Sequence, residues 1–223
     1  MSKSFSTDKS IHIILGGTFD PVHFGHLRMT QEMLNRFPAA KVSLMPAAYP
    51  PHRPQPGASP QQRIEMLQLV VGKYPQLSVD TRELEREEPS YSVVTLREIR
   101  EEIGEDCLVF LMGTDAFAKL NEWYEWQELI TLTNILVVGR PSSQLPSDGE
   151  VAEFYERYAI ADLDELPEHR SGKVGFCQMP QLDISSTYIR EQINQGFSPR
   201  FLLPDAIIDY MNQHGLYGLN PNN

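Results

Sequence analysis

Six short apolar runs punctuate the chain at intervals long enough to hold a helix. They are IHIIL (11–15), KVSLM (41–45), LSVDT (77–81), CLVFLM (107–112), NILVV (134–138) and KVGFC (173–177). Strand-like runs that alternate with helical periodicity predict an α/β fold, a parallel sheet wrapped by helices. In such a sheet ligands bind beyond the carboxyl ends of the strands, where the connections change direction. The segments to read for chemistry are therefore GGTFDPVHFGH, PAAYPPHRPQP, GTDAF, GRPSS and DISSTYIR.

The intervening stretches carry helix signals. Leu27, Thr30, Met33, Leu34 and Phe37 share one face of a first helix that Pro38 stops, and Ser59-Pro60 with Gln62 opens a second in capping-box form. A third runs from Ser92 to Ile103 and ends at Gly104. After Gly139 the rhythm weakens into a loop, Pro141 to Gly149, and then an acidic segment, Glu150 to Glu168, where seven Asp or Glu face only Arg157. A solvated outer face is expected there, with a lid-like insertion as the alternative. Two short helices follow, Ser186 to Gln195 closed by Gly196 and Pro204 to Gln213 closed before Gly215. The 223 residues suit one domain, a core over 1–180 with a C-terminal helical segment over 181–223.

A formal charge of −11 argues against broad nucleic-acid binding, so any phosphate must be held locally. Cys107 and Cys177 lie in apolar runs with no metal-ligand spacing, which predicts two buried thiols and suits a reducing cytoplasm. The opening MSKSFSTDKS has no apolar signal core, and no run is long enough to span a membrane. No apolar stripe stands out as surplus to the core, so the oligomeric state is open.

GGTFDPVHFGH carries the most information. Gly16 and Gly17 let the backbone approach a bulky anion, and the helix that follows adds the partial positive charge of its N-terminus. This is neither a P-loop nor a dinucleotide fingerprint, since Gly-Lys-Ser/Thr and G-x-G-x-x-G are both missing. His23 and His26, three apart at the helix start, can meet one ligand together. Metal ligation is an alternative, but no third ligand is near in sequence and the helix dipole disfavours a cation. Two packing or capping histidines are the plain alternative.

GGTFDPVHFGH resembles the signature of the HxGH nucleotidyltransferases, a superfamily with a Rossmann-like, doubly wound, mainly parallel sheet, and ISSTYIR (184–190) is similar to its second phosphate-binding motif. PPHR (50–53), PSYS (89–92), GTD (113–115) and EWYEW (122–126) further resemble the bacterial nicotinate mononucleotide adenylyltransferases, so the likeness runs from Ile11 to about Tyr217. That resemblance implies adenylyl transfer from ATP to nicotinate mononucleotide, in NAD synthesis. Phosphopantetheine adenylyltransferase, a polyol-phosphate cytidylyltransferase and a non-catalytic nucleotide sensor are the alternatives.

The resemblance also implies roles. His23, His26 and Arg190 would be catalytic at the ATP phosphates. Gly16, Gly17, Thr18, Phe19, Gly113, Asp115, Arg140, Ile184, Ser185 and Ser186 would bind ATP, with Asp115 on the ribose or capping a helix. His52, Arg53, Ser90, Tyr91, Trp123 and Tyr124 would bind the pyridine nucleotide. Asp20, before Pro21, reads as turn-forming. Mg2+ is expected to travel with ATP rather than in a protein cage. No nucleophilic side chain is needed, because a phosphomonoester with a second pKa near ~6 is already mostly dianionic at neutral pH.

Overall fold

The computed structural model describes residues 10–48, 56–86, 90–139, 144–180 and 182–219. Among them, β1 (Ile11–Gly17), β2 (Lys41–Pro46), β3 (Leu77–Val79), β4 (Cys107–Gly113), β5 (Asn134–Gly139) and β6 (Val174–Gln178) form one sheet in the order β3-β2-β1-β4-β5-β6. Every neighbouring pair is parallel. All six apolar runs are strands. The third is shorter than expected, because the Asp80 carboxylate accepts from Arg82 N and Nε and turns the chain.

Side chains alternate between two cores, as the period of a strand requires. Ile13 and Leu15 of β1, Val109 and Leu111 of β4, and Leu136 and Val138 of β5 enter one cluster; Ile14, Leu108, Phe110, Ile135 and Val137 enter the other. Such doubly buried strands read as continuous apolar runs, which is why these were visible. The first core is covered by α1 (Phe24–Arg36), α2 (Pro60–Val71), α7 (Ser186–Asn194) and α8 (Asp205–Gln213), through Met33, Met66, Leu67, Ile189, Ile193, Ile207 and Met211. The second is covered by α3 (Ser92–Ile103), the short α4 (Thr114–Phe117) and α5 (Leu129–Leu132), and α6 (Gly149–Tyr158).

Ser59 caps α2 as its spacing announced: Ser59 Oγ accepts from Gln62 N and Gln62 Oε1 from Ser59 N. Gly104, at φ 57°, ends α3. The acidic segment corrects the lid alternative. Its seven carboxylates are exposed, but Val151 and Phe154 of α6 and Leu163 and Leu166 beyond it are buried in the cores. Cys107 is buried as expected, whereas Cys177 is half-buried because it lies on the edge strand β6.

Strands β1 to β3 run outward on one side and β4 to β6 on the other. The connections therefore diverge between β1 and β4, and a crevice opens at the carboxyl ends of these two strands. The loop after Gly17 and the start of α4 after Gly113 border it.

Candidate active site

His23 is the N-cap of α1, in extended conformation, and His26 is the third residue of its first turn. The two rings stack at 3.7 Å between centroids, and the ring of buried Phe19 meets His26 edge-on at 4.8 Å. His26 Nδ1 accepts from the His23 backbone N–H at 3.3 Å, so the capping alternative holds in part. That bond also fixes the His26 tautomer, leaving Nε2 to carry its proton in the neutral ring. His23 is 4% exposed, and although its side chain faces the His26 backbone N–H in capping-box arrangement, its Nδ1 makes no hydrogen bond of normal geometry among the described residues. Burial disfavours its imidazolium and lowers its pKa to about 4, so the ring is neutral at pH 7. A buried polar atom without a partner usually costs about 1–3 kcal/mol. Such a group is suited to a ligand.

Two glycines permit this packing. A Cβ on Gly25 would come within 3.0 Å of the His23 ring and 3.2 Å of the Ile184 carbonyl, and one on Gly17 within 3.1 Å of the Phe19 ring. Gly16, exposed near the end of β1, and Thr18, just after Gly17, flank the second of these glycines. No acidic residue occupies the first turn of α1 or of α7, so both N-termini keep their favourable field for an anion.

The second motif meets the first here. Ser185 caps α7, its Oγ accepting from Tyr188 N at 3.1 Å. Ser186 Oγ donates to the Pro21 carbonyl at 2.9 Å, and Arg190 Nη1 donates to the Asp20 carbonyl at 2.6 Å. Ser186 and Arg190, far from the histidines in sequence, are thus tied to the loop that leads into α1, and the Ile184 carbonyl lies against Gly25 in the first turn of α1.

Asp20 does more than form a turn. Its carboxylate, 3% exposed, accepts from Gly57 N (2.8 Å), Ala58 N (2.9 Å) and the Tyr217 hydroxyl (2.7 Å), and lies 3.4 Å from Arg190 Nη1. Arg63 of α2 is fully buried and donates to the carbonyls of Thr18 (2.9 Å) and Ala47 (2.6 Å). Sequence reading missed Arg63 and Tyr217. For Arg63 a signal existed: it shares spacing with Met66, Leu67 and Val70, a lone charge in an apolar stripe. Tyr217, 197 residues from Asp20, carried none.

Across the crevice, Gly113 ends β4 and caps α4, so Asp115 lies in the first turn of that helix and not at its cap; its side chain is exposed. Tyr91 occupies the N-cap position of α3 without a side-chain capping bond and faces Tyr124, ring centroids 4.7 Å apart, with Tyr124 52% exposed. Trp123 is half-buried, edge-on to Phe110 at 6.2 Å, and Trp126 packs against Phe154. Ser90 Oγ accepts from Ala48 N at 3.0 Å, joining the loop after β2 to the start of α3. Nearby Glu83 is buried, accepting from Thr95 Oγ1 at 2.9 Å, and burial raises its pKa. His52, Arg53 and Arg140 lie outside the described residues.

Residues 14–192 match the cytidylyltransferase-like family. A protein of Marinobacter nauticus named "probable nicotinate-nucleotide adenylyltransferase" is 43% identical over 212 residues, 95% of this chain and 98% of its own. One of Yersinia pestis with the same name is 39% identical over 214 residues, 95% and 97% of the two chains. Among solved structures, the nicotinic acid mononucleotide adenylyltransferase of Plasmodium falciparum complexed with NaAD superposes with a TM-score of 0.71, covering 96% of this chain and 99% of that one, at 16% identity. That last likeness concerns the fold.

Proposed function

Because the chain belongs to the cytidylyltransferase-like family and, within it, to the nicotinate-nucleotide adenylyltransferases, we infer that it joins nicotinate mononucleotide to the adenylyl group of ATP. The products are nicotinate adenine dinucleotide and pyrophosphate, a step of NAD biosynthesis. An oxygen of the mononucleotide phosphate attacks the α-phosphorus, and the bond to the bridging oxygen breaks, its electron pair leaving with pyrophosphate. The attacking group is already an anion, so the protein's part is alignment and charge stabilisation.

One observation carries the assignment of the site: the two motifs meet at Asp20, Pro21 and Gly25, around two helix N-termini and the histidine pair. That geometry supports His23 and His26 as donors to the triphosphate, His23 from its neutral ring, with Arg190, Ser185 and Ser186 beside them. Gly16, Gly17, Thr18, Phe19 and Ile184 shape the same seat. Asp115 at the end of β4 would take the ribose hydroxyls, with Gly113 giving the backbone access. Tyr91, Tyr124 and Trp123 form the aromatic side suited to a pyridine ring. The uncapped N-terminus of α3, with Ser90 before it, favours the carboxylate that distinguishes nicotinate from nicotinamide. His52, Arg53 and Arg140 would complete the phosphate contacts.

Among the described residues no group of three or more His, Cys, Asp or Glu could hold a metal. In our reading Mg2+ arrives with ATP, held by phosphate oxygens and water, and supplies neutralisation of the triphosphate charge. No described helix is long and apolar enough to cross a membrane, and we place the enzyme in the cytoplasm, acting as a single domain.

The test is pyrophosphate release by the purified chain with ATP and Mg2+, offered nicotinate mononucleotide, nicotinamide mononucleotide and phosphopantetheine in parallel. Strong preference for the first is expected. Release with phosphopantetheine alone, or with none of the three despite ATP binding, would overturn the reading.

A further inference from the structure

Tyr217 lies in the last described turn of the chain, yet its hydroxyl reaches back to the signature loop and donates to Asp20 Oδ1 at 2.7 Å. Its backbone is left-handed (φ 57°, ψ 23°), which costs an L-residue about 1 kcal/mol or more and persists only where contacts compensate. The compensation is visible. The ring fills the space over Gly57, where a Cβ would come within 3.0 Å of it. The phenol shares the Asp20 carboxylate with the N–H groups of Gly57 and Ala58 and with Arg190, whose Nη1 is also bonded to the Asp20 carbonyl. Without the hydroxyl, a buried carboxylate would lose one of its donors and lean further on Arg190.

Building on the reading above, we propose that Tyr217 is a positioning residue for adenylyl transfer: through the Asp20 carboxylate it sets where the Arg190 guanidinium stands for the ATP phosphates. Tyr217 touches no substrate in this arrangement. Burial and the neighbouring Asp20 charge hold its phenol far above the ordinary range, so it remains a hydrogen-bond donor throughout the working pH range. Arg63, whose guanidinium holds Thr18 and Ala47, completes the charged surroundings of the phenol.

Tyr217→Phe removes one oxygen and leaves the ring. It should lower kcat/KM for ATP about tenfold, the equivalent of one hydrogen bond of ~1.4 kcal/mol, and leave KM for nicotinate mononucleotide within about twofold. In an Arg190→Ala background the same substitution should change kcat/KM for ATP by less than about twofold, since the group it positions is gone. A full tenfold loss in that background, parallel losses for both substrates, or unchanged kinetics with only a lower Tm would overturn the proposal. Should Tyr217→Phe fold poorly, Asp20→Asn probes the same coupling from the other side, and additivity with Arg190→Ala would be equally fatal. If the unaltered chain releases no pyrophosphate with nicotinate mononucleotide, the reading of function fails on its own. The positioning claim is then decided by affinity for a non-hydrolysable ATP analogue, which Tyr217→Phe should weaken by a similar factor.

Discussion

The two ends of the sheet use the same device for different purposes. At the amino end, Arg100 of α3 is 5% exposed and donates to the carbonyls of Leu132, Gly104, Asp106 and Arg170, each just ahead of β4, β5 or β6. Asn134 and Thr133 add donors to the carbonyls of Leu108 and His169. At the carboxyl end, Arg63 of α2 likewise grips two carbonyls, but beside it His23 Nδ1 is buried without a partner and two helix N-termini lack acidic side chains. Where polar groups are all paired the region serves stability. Where a buried ring nitrogen is left unmet near two helix N-termini, the triphosphate we propose would complete it.

Substitutions can break or sharpen that contrast. His26→Ala should lower kcat by about 10²–10³, the loss seen when one donor to a transition-state anion is removed, with Tm near that of the parent. Near-normal turnover in a folded variant would remove His26 from the chemistry. Arg100→Met should behave in the opposite way, losing about 3 kcal/mol or more in urea unfolding as four carbonyls are orphaned, with kcat intact below its unfolding temperature. Arg63→Met should lose both stability and turnover, and equal behaviour of the two arginine variants would dissolve the distinction.

His23 makes a pH-dependent prediction. Its folded pKa, about 4, lies below the usual 6.5, so as pH falls from 6.5 the unfolded chain takes up a proton that the folded chain refuses. Stability should therefore fall through that window by about 3 kcal/mol, levelling off below pH 4. Urea titrations of His23→Asn against the parent isolate this part from other groups, such as Glu83; identical pH profiles would contradict the burial argument. The smallest effect is expected for Gly25→Ala. Its new Cβ presses the His23 ring and the Ile184 carbonyl, costing about 1–2 kcal/mol, with a fall in kcat larger than any rise in KM.

Much of this was legible in the sequence. Doubly buried strands write themselves as apolar runs, caps and terminating glycines fall at fixed offsets, and the histidine pair and ISSTYIR are local motifs. What escaped is non-local. Arg63 and Arg100 each occupy an apolar-stripe position, Arg100 spaced with Val93, Leu96 and Ile103, but periodicity cannot say which carbonyls a buried guanidinium will find. Asp20 read as a turn former because its partners at Gly57, Ala58, Arg190 and Tyr217 come from three distant segments. The acidic segment was read correctly on its charged face, whereas its apolar face, Val151 with Phe154 and Leu163 with Leu166, is sparse enough to pass for a loose insertion.

One measurement reads both ends of the sheet at once: 15N-histidine NMR through a pH titration, with and without a non-hydrolysable ATP analogue and Mg2+. His12, on β1 and paired with Asp106 at 3.2 Å, reports the amino end, and His23 reports the carboxyl end. The expected result is a His23 midpoint near pH 4 in the free protein, moved upward when the triphosphate arrives, with His12 resonances unchanged. A His23 midpoint near 6.5 that ignores the nucleotide, or a response centred on His12, would contradict the account.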